Sequence, residues 1–211
     1  MDDIRKIDFL LSIQEVLHST AILAVMVDST MRSVSEMYKW PYSTKHEMKH
    51  LGGTLFQMQE KFRELLILAC AKMVDDTLNN TGSLLSKNLT LMSGESKNAS
   101  FHREVDRLRH FANVIKHNNS VINSRSGASS KILVGEYGVP DDTHLQSLDQ
   151  KYGNELRDNL LVSIFHSHRF CMTLLESLGF FQNESLYSEP DNIPEYMLNT
   201  FVRSLPGHPH K

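Results

Sequence analysis

The sequence predicts an all-α protein, a bundle of about five to seven helices. Three observations predict it. Long stretches carry apolar residues at intervals of three and four, residues suited to helix caps stand at the ends of those stretches, and alternating strand-like patterns are nearly absent. With 211 residues, 40% hydrophobic and 22% charged, the chain is long enough for one domain with a sizeable core. We expect a single helical domain over residues 1–205 and a disordered tail over 206–211.

Over residues 3–40, Ile4, Ile7, Leu11, Val16, Ile22, Val25 and Met26 recur at helical spacing, and no Pro or Gly interrupts them before Pro41. This is one long first helix. Ser43 or Thr44 can cap a second, which the Gly52-Gly53 pair is expected to break or kink before the pattern resumes through Phe62, Leu65, Leu66, Leu68, Ala69 and Met73. The pair reads as two long antiparallel helices joined near Pro41. Asn79-Asn80-Thr81-Gly82 should close the second helix; residues 83–92 are a short apolar segment and 93–98 a polar loop.

Ser100 is the expected N-cap of the next helix, which ends near His117. After it, Asn118, Asn119, Asn123, Ser124, Ser126, Gly127, Ser129 and Ser130 crowd a short span, predicting a long, mobile Ser/Asn-rich loop after the fourth helix. Residues 131–137 (KILVGEY) have the β-branched character of one short strand, with no second strand for it to pair with. Asp141 or Asp142 can open a short helix, residues 152–178 form a long amphipathic one that Gly179 stops, and Pro194 begins a last helix over 194–205.

A net charge of -3 excludes a globally basic nucleic-acid binder, so any contact with RNA must be a local patch. Cys70 and Cys171 sit among apolar residues and read as buried core thiols in a reducing compartment. The first residues are mixed in charge, and the apolar run at 21–27 is too short to span a bilayer. These features predict a cytoplasmic protein with no membrane partner.

The most informative stretch is residues 109–119 (RHFANVIKHNN). At about 100° per residue, His102, Asp106, Arg109, Asn113 and His117 share one sector, flanked by His110 and Lys116, while Phe101, Val105, Leu108, Ala112 and Ile115 lie opposite. Such a stripe can hold a phosphodiester and move protons, or it can be a polar seam between helices.

Asn113-x-x-x-His117 followed by Asn118-Asn119 resembles the helix-borne signature of the HEPN superfamily, α-helical proteins that include RNA-cleaving toxins and antiviral effectors. The likeness covers about a dozen residues and the general helical architecture. It departs at Ala112, where the family carries an arginine; Arg109 lies one turn earlier on the same face as Asn113 and His117. The resemblance implies a metal-independent endoribonuclease without cofactor, acting as a homodimer in toxicity or defence, with an antitoxin or other protein as a further partner. In that reading His117 transfers protons, Arg109 stabilises phosphate charge, and Asn113, Lys116 and His110 position the RNA. The alternative is a catalytically inactive HEPN-like module that binds a partner protein or RNA.

A third reading rests on His46-Glu47-Met48-Lys49-His50, a formal H-E-x-x-H that could ligate zinc through His46 and His50 with Glu47 as base; Glu60 and Glu64 are the candidate third ligands. The 11 histidines of the chain raise the odds of such a match by chance. His166 and Arg169 share a face of the late helix and could join His117 across the bundle. There is no phosphate-cradling glycine loop, no G-x-S-x-G elbow and no Cys-x-x-Cys pair, so P-loop and serine-hydrolase chemistry are unsupported.

Overall fold

A computed structural model describes residues 44–145, 147–148 and 155–180, together with scattered positions between 8 and 36. The described residues are mainly helical, as the sequence predicts, with two short strands. The described positions between 8 and 36 are helical. There follow α1 (Lys45–Leu84), α2 (Gly94–Asn98), α3 (His102–His117), β1 (Val121–Ile122), α4 (Ala128–Gly135), β2 (Thr143–His144) and α5 (Glu155–Ser177). The expected helix over 194–205 and the tail over 206–211 lie outside the described residues.

Thr44 caps α1, its hydroxyl oxygen accepting the Glu47 backbone N–H at 3.2 Å. The helix then runs 40 residues, about 60 Å, straight through Gly52 and Gly53. The expected break is absent because glycine merely weakens a helix, by about 1 kcal/mol each, and good helix formers on both sides propagate it. Nor do Asn79-Asn80-Thr81-Gly82 end it. The chain leaves only after Leu84, where Ser86 turns left-handed (φ 52°) and Lys87 N–H bonds back to Gly82 carbonyl at 2.8 Å.

Residues 93–98 are not a loop, since Gly94–Asn98 make one short helix and bury Ser96. The residue before α3 is Phe101 (φ 62°), so Ser100 is not the cap. Past α3, the Ser/Asn-rich segment is built into the fold, with β1 pairing antiparallel with β2, Val121 opposite His144. Residues 131–137 are correspondingly no strand: Ala128–Gly135 form α4, which buries Ser130 and Leu133 three residues apart. Packing against α3 overrides the local β preference. Asp141 and Asp142 bind Ser124 and Asn123 instead of opening a helix, and helical structure resumes at Leu145.

Three apolar clusters hold these elements. The first joins Phe9 and Ile13 to Met73, Val74 and Leu78 of α1, Val105 of α3, and Phe170, Cys171, Leu174 and Leu175 of α5. Gly179 (φ 76°) ends α5 as expected, and the turn seats Phe180 against Phe9 with ring centroids 4.9 Å apart. The second packs Leu66, Ile67, Cys70 and Ala71 of α1 on Leu108 and Ala112 of α3. The third covers Val114 of α3 with Ile122, Leu133, Leu145 and Leu148. Helix α3 is therefore clamped from two sides, by α1 and α5 on one and by α4 and the strand pair on the other.

Both cysteines are free and buried, as read from the sequence. Burial pushes the Cys70 thiol far above its usual range and that of Cys171 up to about 12. No described helix is long and apolar enough to cross a membrane.

Candidate functional site

The clamp on α3 decides what its polar stripe can do. Val105, Leu108 and Ala112 follow at intervals of three and four and turn into the first and second clusters, and Val114 turns the other way into the third. The stripe lies in the cleft between these two buried sides, and most of its residues meet a partner there.

His110 and Asn113 reach across to α4. The Asn113 amide donates to the Ser129 hydroxyl at 3.2 Å, and His110 Nδ1 lies 3.2 Å from the same oxygen. On its other side His110 Nε2 is 3.5 Å from Asp106 Oδ2, to which the Tyr137 hydroxyl donates at 2.7 Å. Burial and the neighbouring Asp106 carboxylate hold the Tyr137 proton well above the usual phenol range. The result is one continuous network, Tyr137–Asp106–His110–Ser129–Asn113, that staples α4 to α3. Asp106, His110 and Ser129 follow the order of a hydrolytic triad, yet Asn113 donates into the serine oxygen, which draws electron density from the atom that would have to attack.

Arg109 turns toward α1, its Nε 3.1 Å from Asp75 Oδ1, with both side chains 38% exposed. His102 binds the Leu91 carbonyl at 2.9 Å. Ala112, where the resemblance would place an arginine, is 1% exposed and packs against α1. Of the predicted site residues on α3 only Lys116 and His117, in its last turn, point outward without a hydrogen bond or ion pair to any described residue.

That turn is rigidly presented. Asn119 (φ 48°) and Ser120 (φ 63°) both adopt left-handed backbone, and the Ser120 hydroxyl donates to Glu64 Oε1 of α1 at 2.5 Å. The Glu64 side chain is 15% exposed. Burial pulls its pKa upward, but hydrogen bonds from Lys61 and Ser120 and the charges of Lys61 and His144 outweigh this and hold the carboxyl below its usual value. The sequence offered no signal for this anchor, because Glu64 and Ser120 are 56 residues apart.

Arg109 and His117 are separated by about 12 Å of helix axis. His166 and Arg169 do not join His117: His166 stacks on Phe101 (centroids 4.2 Å) and the Arg169 guanidinium lies 5.9 Å from the same ring, at the opposite end of α3, about 22 Å away along the axis. The H-E-x-x-H residues lie in the first turns of α1. Glu47 accepts the Thr44 hydroxyl at 3.1 Å, while Glu60 pairs with Arg63 at 2.8 Å and Glu64 with Lys61 at 2.7 Å. Glu60 and Glu64 stand about 15 and 21 Å beyond His50 on the same helix, so neither can complete its coordination. Among the described residues no group of three or more His, Cys, Asp or Glu could hold a metal.

Comparison with family models, with curated proteins and with solved structures finds no match, which leaves the geometry of α3 and its neighbours as the basis for a functional reading.

Proposed function

We propose that this chain is a HEPN-like helical module that binds a partner, RNA or protein, through the Lys116–His117 end of α3 without cleaving RNA. The observation that carries it is the environment of Ala112: the place where the family bears its arginine is a sealed apolar contact between α1 and α3. Arg109, the substitute, is paired with Asp75, and Asn113 and His110 are spent on α4. The Lys116 ammonium and the His117 imidazole beside it remain available on an exposed last turn.

The endoribonuclease reading keeps one observation in its favour, the outward His117 with Lys116 beside it. It would need the Arg109–Asp75 pair to open and a second copy to bring another arginine and histidine into the same cleft. A homodimer acting in toxicity or defence belongs to that resemblance and stands or falls with it.

Purified protein incubated with total RNA in EDTA separates the two. The module reading predicts intact RNA, together with retention of RNA or of a copurifying protein that weakens in Lys116→Ala and His117→Ala variants. Cleavage by the wild type that disappears in His117→Ala would replace it with the nuclease reading.

A further inference from the structure

The H-E-x-x-H segment, unsuited to hydrolysis, still places two imidazoles in a position to act. His46 and His50 are four residues apart on α1, hence one above the other on one face. Both are exposed, and neither ring makes a hydrogen bond to a described residue. They line an open groove of about 420 Å³ together with Lys49, Gly53, Thr54 and Gln57. Gly53, one turn beyond His50, has nothing within 4 Å of the place a Cβ would occupy, so the space beside the second imidazole is clear.

We infer that His46 and His50 form a two-nitrogen chelate for a late first-row divalent transition ion such as Ni²⁺, Cu²⁺ or Zn²⁺. Imidazole nitrogen suits these ions, and affinity rises along that row toward copper. The helix supplies the preorganisation: the Thr44 cap fixes its first turn, and the Thr54 hydroxyl bonds back to the His50 carbonyl at 3.1 Å. The site binds metal and does not use it for hydrolysis. Glu47, which a metallohydrolase would employ as base, is turned to the cap, and among the described residues no third ligand joins the pair. Water fills the other coordination positions. Lys49 lines the same groove, and its positive charge opposes that of the ion.

Calorimetric titration of the full chain with NiCl₂ and with ZnCl₂ tests the inference, with circular dichroism confirming that each variant is folded. Wild type should bind, His46→Ala and His50→Ala should each weaken binding by roughly tenfold or more, and Lys49→Ala should tighten it. Added Ni²⁺ should raise the melting temperature of wild type and leave that of the histidine variants unmoved. No binding by wild type, or equal binding by wild type and both histidine variants, would overturn the assignment. Either result would leave the reading of α3 untouched, because that reading concerns a different surface.

Discussion

Placing an arginine at position 112 is the sharpest test of how α3 is built. In Ala112→Arg a guanidinium on a flexible stem replaces a methyl group that is 1% exposed and surrounded by Leu66, Ile67, Cys70, Ala71 and Leu108. Overpacking alone costs about 1–3 kcal/mol. The buried cation has no carboxylate in that apolar cluster, and its desolvation adds several kcal/mol unless the helices part. The sum, about 4 kcal/mol or more, is a large share of the 5–15 kcal/mol that is typical of whole domains. Arg109→Ala provides the contrast, since the ion pair with Asp75 is 38% exposed on both sides and is worth about 0–1 kcal/mol. Urea unfolding followed by circular dichroism measures both variants, and RNA incubation in EDTA checks for gained activity. A loss below about 1 kcal/mol in Ala112→Arg, or cleavage by that variant, would show that position 112 faces an accessible cleft and would refute the packing described above.

Two glycines of α1 should respond oppositely to alanine. Gly53→Ala adds helix propensity in open space and should stabilise by about 0.5–1 kcal/mol, whereas the new Cβ in Gly82→Ala would lie 2.7 Å from the Lys87 carbonyl oxygen and should destabilise; equal shifts in urea midpoint would contradict this. Glu64→Gln should cost about 1–2 kcal/mol at neutral pH by weakening the bond from Ser120. Because the folded Glu64 carboxyl lies below its ordinary value of 4.5, its contribution is complete above that pH and drains away as pH falls through the lower folded value. Melting temperatures across the acid range should therefore fall less steeply in Glu64→Gln than in wild type, and parallel curves would refute the linkage. Cys70 and Cys171 should resist iodoacetamide in the native protein and react once it is unfolded, since burial keeps both as thiols; rapid native labelling of either would contradict their placement.

The sequence by itself determined the helical class, the end of α3 at His117, the stop at Gly179 and the burial of both cysteines, and it narrowed the cap of α1 to Ser43 or Thr44. Each depends on spacing or on a residue's own conformational preference, which neighbours in sequence suffice to express. It also located the polar stripe. What it could not reveal is which stripe residues are free, because that depends on what packs against them. Ser129 lies 16 residues beyond Asn113, and Asp75 stands on another helix altogether. Residues 131–137 mislead for the same reason: β-branched side chains favour a strand in isolation, and only the apolar surface around Val114 makes a helix the better way to bury Leu133. Tertiary structure decided the role of the stripe. Packing on two sides of α3 turned Asp106, His110 and Asn113 into interhelical ties, sealed Ala112 in the core and left Lys116 and His117 facing outward, because a side chain's chemistry is available only where no other element has already satisfied it.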